Sequence, residues 1–187
     1  MRAARKGRIE AGEIVKEKQD SIVLIGMMGT GKTTVGARLA EATGYPLVDL
    51  DALISDTAGC SIPQLFAEQG EPFFRDLEAK VLKDALTREG IILATGGGAV
   101  LRKENRQEML EQGWVVALKA TADEIVSRVG EDPGRPLLAG GARERVEALL
   151  EERRHAYDFA HVTIDTSGKS AEEVSDEILT HYRGSSN

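Results

Sequence analysis

A single cysteine, Cys60, stands in a chain of 187 residues. No intramolecular disulfide framework is therefore available, and a reducing compartment fits. Aromatic residues make up 4% of the chain, too few for the stacking platforms that hold single-stranded nucleic acid. Basic charge is also short: 24 Lys and Arg face 31 Asp and Glu, a net charge of −7. That balance offers no general basic footprint for nucleic acid. No apolar run approaches the length that spans a bilayer. The basic residues Arg2, Arg5, Lys6 and Arg8 lead into no apolar stretch of the secretory kind. The expectation is a cytoplasmic protein, monomeric, with neither nucleic acid nor membrane as partner. A small anionic ligand is still compatible, because local arginines decide its binding and the global sum does not.

What is present is glycine in a telling place. Ile22-Val23-Leu24-Ile25 runs into Gly26-Met27-Met28-Gly29-Thr30-Gly31-Lys32-Thr33-Thr34, which matches the phosphate-binding pattern G-x-x-x-x-G-K-[ST]. A buried strand delivers the loop, glycines let backbone N–H groups turn onto phosphate oxygens, and the next helix adds its positive N-terminal end. Gly29, Thr30, Gly31, Lys32, Thr33 and Thr34 are the candidate contacts to ATP. Lys32 would reach the β- and γ-phosphates, and the Thr33 hydroxyl would hold Mg²⁺.

Residues 1–20 carry mostly charge and no sustained apolar period, so they read as a flexible extension ahead of one domain over 21–187. Short apolar runs at Ser21–Ile25, Pro46–Asp49, Ile91–Ala94, Trp114–Leu118 and Val162–Ile164 read as strands. Between them, helical patterns cover Lys32–Thr43, Ala52–Ala58, Pro63–Gln69, Pro72–Arg88, Lys103–Glu111, Ala122–Val129, Arg143–Tyr157 and Ala171–Tyr182, with breaks expected at Gly59 and Gly70. Strands alternating with helices predict an α/β fold, a parallel sheet covered on both faces. Ligands of such sheets bind at the strands' C-terminal edge.

Several groups fall at that edge. In Val48-Asp49-Leu50-Asp51 the two carboxylates are two apart, so a strand would point both toward the phosphate loop. One suits Mg²⁺ and the other a substrate hydroxyl; the plainer alternative is that Asp51 caps the next helix. Arg75 and Glu78 are three apart and share a helix face, which suits an arginine offered to a substrate anion and oriented by the glutamate. Thr95-Gly96-Gly97-Gly98 follows the third strand and allows close backbone approach. Phosphate-loop enzymes often place a magnesium-binding acid there, and its replacement by Thr95 shifts the metal role toward Asp49. Segment 130–141 has four glycines around Arg135-Pro136-Leu137-Leu138, the makings of a mobile lid whose arginine neutralises the transferred phosphoryl group. Arg128, just before it, is placed to stack on a purine. In Glu151-Glu152-Arg153-Arg154 one arginine is a candidate second anion clamp, and the pattern does not choose between Arg153 and Arg154. The histidines show no metal-ligand spacing, and Cys60 reads as structural.

Together these stretches resemble the shikimate kinase family over about residues 21–183. The resemblance rests on G-M-M-G-T-G-K-T-T-V-G at 26–36, D-L-D at 49–51, G-E-P-F-F-R-D-L-E at 70–78, G-G-G-A-V at 96–100, R-P-L-L at 135–138 and E-R-x-x-x-Y at 152–157. It implies the P-loop NTPase fold in three layers, with a five-stranded parallel sheet in the order 2-3-1-4-5. It also implies a helical substrate-binding region near 51–80 and a lid near 130–141. The implied reaction moves the γ-phosphoryl of ATP, with Mg²⁺, to the 3-hydroxyl of shikimate. Asp51, Arg75, Gly97 and Arg153 would then hold shikimate, with Lys32, Asp51 and Arg135 as catalytic groups. Thr33 and Asp49 would place Mg²⁺, and Arg128 with Lys169 would meet adenine. The chain departs from the family where E-R-x-P-L-Y is usual, reading Arg154-His155-Ala156-Tyr157. Another small-molecule kinase such as a gluconate kinase, and a non-catalytic nucleotide switch, remain as alternatives at this point.

Overall fold

The computed structural model describes residues 21–130 and 141–185. Five strands form one parallel sheet: β1 (Ser21–Gly26), β2 (Leu47–Asp49), β3 (Ile92–Ala94), β4 (Gly113–Lys119) and β5 (Val162–Asp165), in the order β2-β3-β1-β4-β5. The implied strand order is therefore observed. Among the described residues seven α-helices lie between and after them: α1 (Lys32–Thr43), α2 (Leu50–Ala58), α3 (Ile62–Leu86), α4 (Lys103–Gln112), α5 (Ala122–Gly130), α6 (Ala142–Glu152) and α7 (Ala171–Gly184). The charged extension 1–20 and residues 131–140 of the expected lid, Arg135 among them, lie outside the described residues.

Alternation along β1 explains the layers. Successive strand side chains point to opposite faces. Ile22 and Leu24 join Val35 and Leu39 of α1 and Val174, Ile178 and Leu179 of α7 in one core. Val23 and Ile25 face the other way, into a core shared with Ile54 of α2 and Val81 and Leu82 of α3. A smaller cluster joins Met27 to Ile125 and Val129 of α5 and Val146 of α6.

Breaks fall where glycine was expected to make them. Gly59 ends α2 in the left-handed region, and Gly70 (φ 80°, ψ 172°) divides α3 into two helical stretches. Pro72 then sits in the first turn after that break, where its missing N–H costs nothing. β2 ends at Asp49 as expected, so the two-residue strand period does not reach Asp51; α6 stops at Glu152 rather than running to Tyr157.

Candidate active site

Phosphate loop and metal pair meet at the foot of α1. Lys32 Nζ donates to the carbonyls of Gly26 and Met27, both at 2.8 Å, which holds the ammonium within the loop. Gly29 and Gly31 take positive φ of 75° and 90°. The Thr30 hydroxyl turns inward and donates to Met27 O at 2.8 Å, so Thr30 has only backbone to offer a ligand. Thr33 Oγ1 lies 3.3 Å from Asp49 Oδ2. A hydroxyl and a carboxylate side by side, the first exposed and the second half-buried, suit Mg²⁺, which takes one or two protein oxygens and keeps several waters. Thr95 cannot join them, because its hydroxyl is buried and donates to Leu24 O at 3.0 Å.

Asp49 also caps α2: it is the last strand residue, and its Oδ1 accepts the Ala52 N–H at 3.1 Å. The cap role therefore falls on Asp49 and not on Asp51. Asp51 occupies the first turn of α2, so the two-residue strand period does not place it. A helical turn does so instead, and it still aims the carboxylate at the glycine run after β3.

That run organises the acceptor side. A Cβ built on Gly96 would lie 2.7 Å from Asp51 Oδ1, one on Gly97 3.6 Å from Arg153 Nη1, and one on Gly98 2.5 Å from Arg75 Nη2. Three functional side chains, from α2, from beyond α6 and from α3, thus lie against three successive glycines. Arg75 is pinned there. Its Nη1 donates to Glu78 Oε2 at 2.7 Å, and Glu78 is only 1% exposed. Burial pushes the Glu78 carboxyl up, opposed by the hydrogen bond and charge of Arg75. A second, more exposed carboxylate, Glu71, approaches Arg75 Nε at 3.4 Å. Lys32, Thr33, Asp49, Asp51, Arg75 and Arg153 all line one cleft of about 660 Å³, a volume proper to a small-molecule site. Ile62, Phe66 and Phe74 give it an apolar wall.

Arg153 and Arg154 are separated by their surroundings. Arg154 pairs with Glu151 at 3.6 Å on the surface, with 68% of its side chain exposed. Arg153 turns into the cleft, and its Nε is shut off from solvent. The backbone explains the difference. Beyond α6 several N–H groups bond three residues back, Arg154 to Glu151 at 3.2 Å, Ala156 to Arg153 at 2.9 Å and Ala160 to Tyr157 at 3.2 Å. This tighter winding replaces the helix expected through Tyr157, without the family's proline. It also brings the Tyr157 hydroxyl over the glycine run, where it donates to Gly97 O at 3.0 Å. Burial raises the Tyr157 phenol above its ordinary range. In the sequence Tyr157 is one letter of a motif with no role of its own; its fixed place after Arg153 is the available signal.

On the nucleotide side, Arg128 is tied down by its donors. Nη1 reaches Gly29 O at 3.1 Å and Thr166 Oγ1 at 3.3 Å, and Nη2 reaches Thr166 O at 3.5 Å. Its remaining surface is exposed, and it lines the cleft. Lys169 pairs with Glu177 of α7 at 2.6 Å and is not part of the cleft wall.

Similarity to known proteins is concordant. Residues 28–183 match the family model described as shikimate kinase. Shikimate kinase of Geobacter sulfurreducens is 46% identical over 164 residues, covering 87% of this chain and 91% of that protein. A structure of shikimate kinase from Acinetobacter baumannii in complex with shikimate superposes with a TM-score of 0.84 at 35% identity, covering 91% of this chain and 96% of that one. The structure of shikimate kinase from Aquifex aeolicus gives 0.75 at 35% identity, covering 89% and 98%.

Proposed function

The chain belongs to the shikimate kinase family, and from that premise we propose how its residues divide the reaction. The protein is an ATP- and Mg²⁺-dependent kinase that passes the γ-phosphoryl group of ATP to the 3-hydroxyl of shikimate, on the way to the aromatic amino acids. The observation that carries the division is the convergence of Asp51, Arg153 and Arg75 on Gly96, Gly97 and Gly98.

Two guanidinium groups facing one cleft suit the shikimate carboxylate, since each fork can meet it bidentately. Arg75 is the more rigid of the two, because its buried Glu78 partner fixes the fork before a ligand arrives. Asp51 orients the acceptor hydroxyl toward the phosphate loop and takes its proton as the new P–O bond forms and the bond to ADP breaks. Gly97, tied through its carbonyl to Tyr157, supplies backbone against the ring. Lys32 neutralises charge on the transferred phosphoryl group, and the family pattern assigns Arg135, which lies outside the described residues, to the same role. Thr33 and Asp49 would hold Mg²⁺, whose charge would shield the phosphate oxygens. Catalysis here is chiefly positioning and electrostatics. Gly29, Gly31 and Thr34 border the phosphates, while Arg128 faces the base from the cleft wall; Lys169, held by Glu177 outside that wall, would approach the base only on leaving that pair. Among the described residues no helix is long and apolar enough to cross a membrane, and we assign the protein to the cytoplasm as a monomer.

A coupled assay of ADP release with ATP, Mg²⁺ and shikimate tests the activity, and absence of shikimate-dependent release would sink it. Arg75→Ala and Arg153→Ala test the division. Each should raise the KM for shikimate far more than that for ATP, whereas equal losses of both would place the arginines outside the acceptor site.

A further inference from the structure

The start of α5 is absorbed by nothing described so far. Glu124 and Arg128 are four residues apart, so they lie on one face of that helix, and both reach the segment that follows β5. Arg128 holds Thr166 at that segment's near end and Gly29 in the phosphate loop. Glu124 holds the segment's tip. Its Oε1 accepts the Gly168 N–H at 2.7 Å, and its Oε2, like Ser167 Oγ, is shut off from solvent. The hydrogen bond from the Gly168 N–H keeps the Glu124 carboxyl below its ordinary range.

The segment itself is firmly built at both ends. Thr166 Oγ1 donates to Lys119 O at 3.0 Å, Ser167 N–H to Asp165 Oδ1 at 2.9 Å, and Ser170 caps α7 with Glu173. Gly168 sits at φ +67°, and a Cβ there would meet no atom within 4 Å. The tip is therefore a glycine turn with one open side, held to α5 by a carboxylate.

We propose that Glu124 is a positioning residue for the nucleotide base: it fixes the 166–169 segment against α5, at a set distance from Arg128 and the phosphate loop. The proposal rests on the reading that the phosphates occupy the loop and the base lies beside Arg128. α5 then acts as a strut. Arg128 joins the base segment to Gly29, and Glu124 stops the tip from swinging away, so the base meets a surface already formed and pays little ordering cost.

The test compares two ligands that share the phosphate loop and differ in reach. ADP engages both loop and base segment; inorganic pyrophosphate engages the loop alone. Binding of each is titrated calorimetrically to the wild type, Glu124→Ala and Glu124→Gln, alongside steady-state kinetics. Glu124→Ala should weaken ADP about three- to tenfold, the scale of one lost charge-assisted hydrogen bond at a partly solvated site. Pyrophosphate affinity and the KM for shikimate should hold within about twofold, since neither reaches the segment. Glu124→Gln retains an acceptor for Gly168 and should fall between, which also covers failure of the alanine variant to fold. Equal weakening of ADP and pyrophosphate would reduce Glu124 to a structural residue and overturn the proposal. Unchanged ADP affinity would overturn it as well, leaving the base reading intact. A wild type that binds ADP no better than pyrophosphate would instead overturn the base reading, and the proposal with it.

Discussion

Gly98→Ala is the sharpest probe of the acceptor site, because the added atom meets a single functional group. A Cβ at this position would stand 2.5 Å from Arg75 Nη2, 2.8 Å from Nη1 and 3.0 Å from Cζ. Non-bonded heavy atoms prefer about 3.5 Å or more, so the guanidinium must retreat by roughly 0.5–1 Å. It cannot retreat freely. Nη1 is bonded at 2.7 Å to Glu78 Oε2, and that carboxylate is enclosed in the core. The methyl therefore either breaks the Arg75–Glu78 bond or moves the fork off its carboxylate target. A hydrogen bond to a charged group contributes about 1.5–3 kcal/mol, which converts to a rise of roughly 10- to 150-fold in the KM for shikimate. The backbone is no confounder. Gly98 has φ −94° and ψ −6°, open to any residue, so a fall in the denaturation midpoint reports the displaced Arg75–Glu78 pair and not main-chain strain. Steady-state kinetics with each substrate varied, beside a urea melt, makes the measurement. A folded Gly98→Ala with shikimate KM within about twofold of wild type would refute the pinned-arginine argument.

Three further outcomes are expected. Tyr157→Phe removes one half-buried hydrogen bond to Gly97 O and should cost about 0.5–1.5 kcal/mol of stability, with a several-fold rise in the KM for shikimate and none in that for ATP; a parallel rise for ATP would contradict it. Asp49→Asn keeps an acceptor for the α2 cap but loses the charge, so it should raise the Mg²⁺ needed for half-maximal rate while leaving the melting temperature nearly unchanged. Asp49→Ala should raise the Mg²⁺ requirement as well and lower stability by about 1 kcal/mol for the lost cap. His161 Nδ1 accepts the Val115 N–H at 2.9 Å, and burial lowers its pKa. An unfolded histidine takes up its proton near pH 6.5 while the folded one resists, so this contribution is whole above about that pH and is lost as pH falls through it. Urea melts at successive pH values should show a decline on acidification that His161→Asn flattens; an unchanged slope would argue against the coupling.

Much of this fold is legible because its strands are short apolar runs and its breaks are glycines. Gly59 and Gly70 interrupt helices where composition says they should, and Ile22 to Ile25 announces a strand covered on both faces. What stays hidden is contact between distant positions. The D-x-D pattern read as a strand pair, yet Asp49 spends its carboxylate on the Ala52 N–H and so starts a helix two residues sooner than expected. No local preference separates Arg153 from Arg154; the choice depends on a turn whose bonds shift from four residues back to three. Tyr157 is 60 residues from Gly97, and Glu124 is 44 from Gly168. Their partners exist only once the sheet has brought loops from different crossovers to one edge. The strand order, likewise, came from resemblance to a family and not from periodicity.

The two cores on either face of the sheet have a consequence for inheritance. Groups facing the acceptor hang from α2, α3 and residues 156–160, which pack on one face. The phosphate loop's helix leans on α7 across the other. Substitutions that retune the choice of acceptor can therefore accumulate in one layer without repacking the layer beneath the phosphates. A lineage built this way can change what it phosphorylates while conserving how.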